Sequence, residues 1–255
     1  MMFRVLASLQ TSDGDGVKTK SFGSSTYVGD PMNIVRILNS KGAQEIVLID
    51  IGASTVNQLN LELIRDISEE STVPFTYAGG VNDISQVCEL MALGVEKIAV
   101  NSLVYENPAM VRIISDVIGS SSTAFSLDLW HSGQGHWKTL SRGGSRESEL
   151  RIPEVVELAL SLGIGELHIK VKNLDGSNGS ATSKVLDSLF SSYDFSKIRN
   201  EVQILVGCGI RTLENIAECR DHFNVDGVIL GSQICFSELD NSGVLIRYPN
   251  EYRIG

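Results

Sequence analysis

Cysteine is scarce in this chain, and none of the four (Cys88, Cys208, Cys219 and Cys235) forms a CxxC pair. That spacing argues against a metal site, and scattered thiols fit a reducing cytoplasm. Basic clusters are also missing. The 21 Lys and Arg face 31 Asp and Glu, a net charge of −10, so nothing neutralises a nucleic-acid backbone. No apolar run approaches the roughly 20 residues of a membrane helix. The sequence enters a strand at Arg4, so no signal peptide is expected. No linker or low-complexity stretch divides the chain. The expectation is one cytoplasmic domain over residues 1–255, with no metal, no nucleic-acid partner and no membrane partner. An acidic chain can still hold a phosphorylated small molecule, because backbone N–H groups bind anions without net positive charge.

What is present is a set of short apolar runs ending in Gly, Ser or Asp. Residues 166–176, 203–209 and 227–232 read as buried parallel strands followed by tight turns into helices. Turns without side chains let backbone N–H groups close on an anion. The same arrangement occurs earlier: residues 45–51 match 166 onward, 77–83 match 206–212, and 97–102 match 228–232. The offsets are all about 120 to 130 residues and the order is kept, which is an internal repeat. Two equal βα halves, about 1–120 and 121–240, predict a (β/α)8 TIM barrel with two phosphate cups.

In chain order, the eight barrel strands are expected at residues 4–9, 45–51, 74–78, 97–100, 123–127, 166–171, 203–206 and 227–230. Asp30 and Pro31 open the first helix as N-cap and first helical residue. Further helices are expected over 57–70, from 108, from 153, over 182–190 and over 212–222. Residues 11–27 and 129–151 read as long polar loops of the kind that form lids or binding loops. The tail at 243–249 reads as extended, so no full eighth helix is expected.

Chemistry in such a barrel sits at the C-terminal ends of the strands. The equivalent strands 4–9 and 123–127 end in Gln10 and Asp128. Asp128 after an apolar strand is the best general acid or base, the alternative being a carboxylate that caps neighbouring turns. Gln10 can only hydrogen-bond and orient. Lys18 in the first long loop either reaches a phosphate or is simply solvated. His168 is expected to pack against a helix, and His131 and His136 lack a third metal ligand. Arg4, Glu45, Lys97 and Glu166 start four strands and should ring the lower mouth, where on residue types alone they read as a charge-neutral, solubilising plug.

The motifs Gly29-Asp30-Pro31, Leu48-Ile-Asp-Ile-Gly-Ala-Ser54, Gly79-Gly80, Asn101 with Glu106-Asn-Pro108, Asp175-Gly176 and Gly231-Ser232 together resemble the cyclase subunit of imidazole glycerol phosphate synthase, a half-barrel-duplicated protein of histidine biosynthesis. The resemblance runs from Arg4 to about Ile234. It implies a glutaminase partner docked under the barrel in a heterodimer, no cofactor, and a bis-phosphorylated nucleotide substrate. It implies that Arg4, Glu45, Lys97 and Glu166 form a salt-bridged ammonia gate, which reverses the plug reading. It places the two phosphate sites at Gly80 with Asn101 and at Gly176, Gly209, Gly231 and Ser232; Lys18 of the first long loop and Asp175 of the Asp175-Gly176 motif are candidate substrate contacts beside them. The family uses two catalytic aspartates; one matches Asp128, and the other is Gln10 here. The Tyr27-Val-Gly-Asp-Pro31 stretch and the 244–249 tail look more like divergent copies in bacterial surface-polysaccharide clusters. There the resemblance implies an ammonia conduit for amidination of an acetamido sugar in lipopolysaccharide synthesis, with a third, sugar-modifying amidotransferase protein.

Overall fold

The computed structural model describes residues 2–56, 58–133, 135–236 and 243–248. Twelve strands are present among them: β1 (Arg4–Ser12), β2 (Asp15–Thr19), β3 (Ser25–Gly29), β4 (Glu45–Asp50), β5 (Phe75–Ala78), β6 (Lys97–Val100), β7 (Thr123–His131), β8 (Trp137–Ser141), β9 (Arg146–Glu147), β10 (Glu166–Val171), β11 (Gln203–Gly207) and β12 (Gly227–Leu230). Eight of these pair in parallel in the order β10-β11-β12-β1-β4-β5-β6-β7, and β7 pairs β10 to close the ring. This is the (β/α)8 TIM barrel.

The helices are α1 (Pro31–Ser40), α2 (Ile51–Val56), α3 (Leu61–Glu70), α4 (Ile84–Ala92), α5 (Ser102–Glu106), α6 (Pro108–Ile118), α7 (Ile152–Ser161), α8 (Thr182–Ser192), α9 (Leu213–Asp221) and α10 (Ser232–Cys235). Local chemistry sets their starts. Asp30 accepts from Asn33 N at 2.9 Å ahead of Pro31, and Asn60, Asp83, Asn107 and Thr212 cap α3, α4, α6 and α9 in the same way.

Strand parity divides the molecule into two cores. On β1, Val5, Ala7 and Leu9 face the helices within the main apolar core, whereas Leu6, Ser8 and Gln10 face the barrel axis. The axis is filled by Leu6, Val47, Leu205 and Ile229 on one side and by the small Ala78, Ala99 and Ala124 on the other.

Several expected boundaries are corrected. Residues 11–29 are a three-stranded antiparallel extension of β1, not a loop, and β7 likewise runs on to His131 and pairs β8 and β9. Gln10 and Asp128 therefore lie inside strands rather than beyond them. The expected helix over 57–70 begins at Leu61, behind the separate α2, and residue 57 is outside the described residues. A short α5 precedes the helix from Pro108.

The eighth helix is a single turn, α10. The chain then returns alongside it: Phe236 bridges Val244, and Arg247 N donates to Ile234 O at 2.9 Å. Tyr248, 1% exposed, donates its hydroxyl to Val5 O at 2.9 Å and covers the outer side of β1. Pro249 of the expected extended tail is outside the described residues. No helix among the described residues is long and apolar enough to cross a membrane.

Candidate functional site

The C-terminal ends of the strands open into a cavity of about 650 Å³. Gln10, Lys18, Gly80, Asn101, Asp128, Asp175, Gly176, Gly209, Gly231 and Ser232 all line it, so the structure brings every upper candidate to one place. The two halves mirror each other there. Asn101 has φ −126° and ψ −78° at the start of α5; Gly231 has φ −113° and ψ −83° at the start of α10. Gly80 and Gly209 both hold positive φ, 62° and 74°, where a side chain is strained. A Cβ on Gly80 would come within 2.5 Å of Ala53 O, and one on Gly209 within 2.7 Å of Thr182 Oγ1. These turns are bare because neighbouring backbone and side chains press on them.

Asp128 lies on the cavity floor. Ser126 Oγ donates to its Oδ1 at 3.1 Å, and Lys170 is its register partner on β10. Burial pushes the carboxyl up to about 6, against the opposing pull of the Lys170 charge and the Ser126 hydrogen bond. Its acid therefore changes form near neutral pH, as a proton-transfer group requires. Gln10 is spent on structure. Its Oε1 accepts from Thr19 N at 2.9 Å. The Thr19 hydroxyl lies 3.1 Å from that oxygen and 2.9 Å from Asp175 Oδ2, and its single hydrogen goes to the closer, charged acceptor.

Lys18 is neither solvated nor free to swing. It is 5% exposed, and its Nζ pairs with Asp175 Oδ1 at 2.5 Å. Asp175 also accepts from Phe22 N at 3.1 Å, so this carboxylate clamps the β2–β3 hairpin over the cavity. The β7–β8 extension meets it from the other side. Lys172 Nζ donates to Gly144 O at 2.8 Å, and a Cβ on Gly144 would touch the Phe22 ring at 2.7 Å. Asn101 Nδ2 donates to Ser126 O (2.8 Å) and Leu140 O (3.1 Å), tying the same extension to the barrel. Arg142, at its tip, pairs with Glu106.

The lower mouth carries the four-charge ring as one network. Arg4 pairs with Glu45 at 2.5 Å and with Glu166 at 2.6 Å, and Lys97 pairs with Glu166 at 2.6 Å. Gln203 joins through its Oε1, 2.6 Å from Arg4 Nη1. Burial would raise the Glu166 carboxyl, but His168 and Arg4 together hold it far below the usual carboxylate range.

His168 does not pack against a helix. It shares the inward face of β10 with Glu166 and Lys170, and its Nε2 lies 2.6 Å from Glu166 Oε1. Sequence reasoning missed Lys170, Ser126 and Gln203 on these walls. The signal was strand parity: once Glu166 points inward, so must His168 and Lys170. No group of three or more metal-ligating side chains occurs among the described residues, and His131 instead stacks on Trp137.

Residues 4–240 match the family described as histidine biosynthesis protein. A protein of Leptospira borgpetersenii, provisionally named imidazole glycerol phosphate synthase subunit HisF, is 30% identical over 97% of this chain and 95% of its own length. A protein of Pseudomonas aeruginosa, provisionally named subunit hisF2 of the same enzyme, is 29% identical over 97% and 96%. The imidazole glycerol phosphate synthase subunit HisF of Pyrococcus furiosus is 32% identical over 68% of this chain and 69% of its own. With its closed parallel barrel and a family match spanning nearly its whole length, this chain belongs to the histidine biosynthesis protein family.

Proposed function

We propose that this chain is the acceptor-side subunit of a glutamine amidotransferase. A glutaminase partner docks under the barrel, its ammonia enters through the Arg4–Glu45–Lys97–Glu166 ring, and a phosphorylated substrate waits in the upper cavity. The observation that carries this reading is that ring and cavity sit at opposite ends of one barrel axis, with Leu6, Val47, Leu205 and Ala124 on the wall between them. The turns at Gly80–Asn101 and at Gly176, Gly209, Gly231 and Ser232 hold the two phosphates. Asp128 moves the proton. For a histidine-pathway cyclase, the substrate is the open-ring, bis-phosphorylated nucleotide, cleaved and cyclised with ammonia.

Gln10 favours a second reading of the acceptor. An amide transfers no proton, and its oxygen is already engaged by Thr19. Loss of one acid–base group costs roughly 10²–10⁴-fold. In that reading the barrel still delivers ammonia, but to an acetamido sugar held with a third, sugar-modifying protein. The test supplies the open-ring nucleotide and an ammonium salt at alkaline pH to wild type and to Gln10→Asp. Turnover by wild type supports the histidine reaction. Turnover by Gln10→Asp alone supports the second reading. Silence from both moves the search to amino-sugar acceptors.

A further inference from the structure

Between the ring and the cavity stands a side chain that neither accounts for. Glu166, His168 and Lys170 alternate along the inward face of β10. Two residues of strand span roughly 6.6 Å, so the Cα atoms of the three cover about 13 Å of strand, with the Glu166 and His168 head groups touching at 2.6 Å. His168 is fully buried: Leu205 is its register partner on β11, and Ala124, the register partner of Glu166 on β7, lies one step below. Ser126, its register partner on β7, already belongs to the cavity wall.

The hydrogen bonding of His168 fixes its chemistry. Glu166 accepts from Arg4 and Lys97 and is ionised, so it can only accept from the imidazole too. Nε2 must therefore carry the hydrogen in the 2.6 Å contact. Burial depresses the basicity of the ring, against the opposing pull of Glu166, and favours the neutral form. In a neutral ring protonated at Nε2, Nδ1 is a bare lone pair. That atom is buried and has no hydrogen-bond partner. An acceptor left unmet in such a place is unfavourable, and a small N–H or O–H donor that reaches it restores the bond.

We propose that His168 is a transit site for ammonia, its Nδ1 accepting an N–H bond from the neutral molecule midway between ring and cavity. This rests on the ammonia reading above. The surroundings select the species. An ammonium ion would lose its hydration beside Leu205 and Ala124 and would meet the Lys170 charge ahead, whereas neutral ammonia carries neither penalty. Ser126 offers the next acceptor: its hydrogen is committed to Asp128, so its lone pairs remain for a second N–H. The route runs from the Glu166 ring, past His168 and Ser126, to Asp128.

The test is nuclear magnetic resonance on the uniformly 15N-labelled full chain, reading backbone amides and histidine ring nitrogens, titrated at alkaline pH with ammonium chloride against sodium chloride and trimethylammonium chloride. The expected result is a bare, unprotonated Nδ1 in the His168 ring whose resonance shifts saturably with ammonia alone. His168→Met removes that resonance and identifies it. A ring protonated at Nδ1 overturns the proposal. So does ammonia moving the backbone amides of Ser126 and Gly207 while Nδ1 stays still; that outcome leaves the ammonia reading standing. If neither His168 nor any barrel amide responds, the ammonia reading falls and the transit site with it.

Discussion

Asp128→Asn separates the two readings of that carboxylate by opposite signs. As a buried acid whose folded pKa is raised from 3.8 to about 6, Asp128 destabilises the fold when ionised. The sign follows from linkage. The folded state holds its proton at pH values where the unfolded chain has lost it, so stability falls as pH rises from about 4 to about 6 and stays low above. At about 1.4 kcal/mol per pH unit, the displacement of about 2 units amounts to about 3 kcal/mol at pH 7. Asn removes the charge yet keeps an oxygen for the Ser126 hydroxyl, so most of that is recovered. Urea denaturation of both proteins from pH 4 to pH 8 should show Asp128→Asn more stable by about 2–3 kcal/mol at pH 7 and level with wild type near pH 4. In melting temperature, at 2–4 °C per kcal/mol for a chain of this size, the gain is roughly 4–12 °C. Activity should drop roughly 10²–10⁴-fold at the same time. A capping carboxylate gives the reverse, an Asn variant weaker than wild type throughout, and that result would refute a strained catalytic acid.

Other perturbations have equally definite outcomes. Glu166→Gln leaves Lys97 without its carboxylate and His168 without its charged acceptor; breaking such a buried pair should cost about 3–5 kcal/mol, read by urea denaturation at pH 7, with the gap closing as pH falls below about 4, because the depressed Glu166 acid contributes fully where both states are ionised and loses that contribution as the unfolded chain takes up its proton first. Gly209→Ala places a Cβ 2.7 Å from Thr182 Oγ1 at φ 74°, so stability should drop about 1–3 kcal/mol, and calorimetry should show weaker binding of a phosphorylated ligand. Tyr248→Phe leaves the ring in place and removes the hydroxyl that donates to Val5 O, a loss of about 1–2 kcal/mol by the same denaturation assay; no change would mean this bond does not hold the tail to β1.

The barrel was legible because parallel strands buried on both faces leave continuous apolar runs. Lys97–Val100, Glu166–Val171 and Gly227–Leu230 fall where the sequence reading places them, and the half-barrel repeat reappears in the matched backbone of Asn101 and Gly231. The two extensions were not legible. Asp15-Gly-Val-Lys-Thr19 is a strand because it pairs with β1 and is clamped by Asp175, a carboxylate 156 residues from Thr19, and no local propensity shows that. Lys18 illustrates the same point: in isolation a lysine in a polar stretch reads as solvated, and only the fold supplies its partner. The inward column on β10 was within reach, since a charged strand start at Glu166 sets the phase for His168 and Lys170. Gln10 is the opposite case. Its chemistry was plain from its identity, but its attachment to Thr19 follows from the unread hairpin.

The pairing that closes the barrel also sets a schedule for making it. Arg4 of β1 pairs with Gly227 of β12, so the first strand of the chain waits for the last. At about 5–20 residues per second, the intervening stretch takes the ribosome roughly 10–45 s to deliver. Through that interval the nascent chain presents an incomplete sheet with an open edge on β1, the kind of edge that invites pairing with other chains. Because β12 is the last of the eight barrel strands and Tyr248 follows it onto the outer side of β1, closure and then sealing come after every other barrel strand has been made. A ribosome stalled before Gly227 would hold a protein with most of its helices and no finished barrel, and protease digestion of such nascent chains should find the β1 segment cut until β12 has emerged.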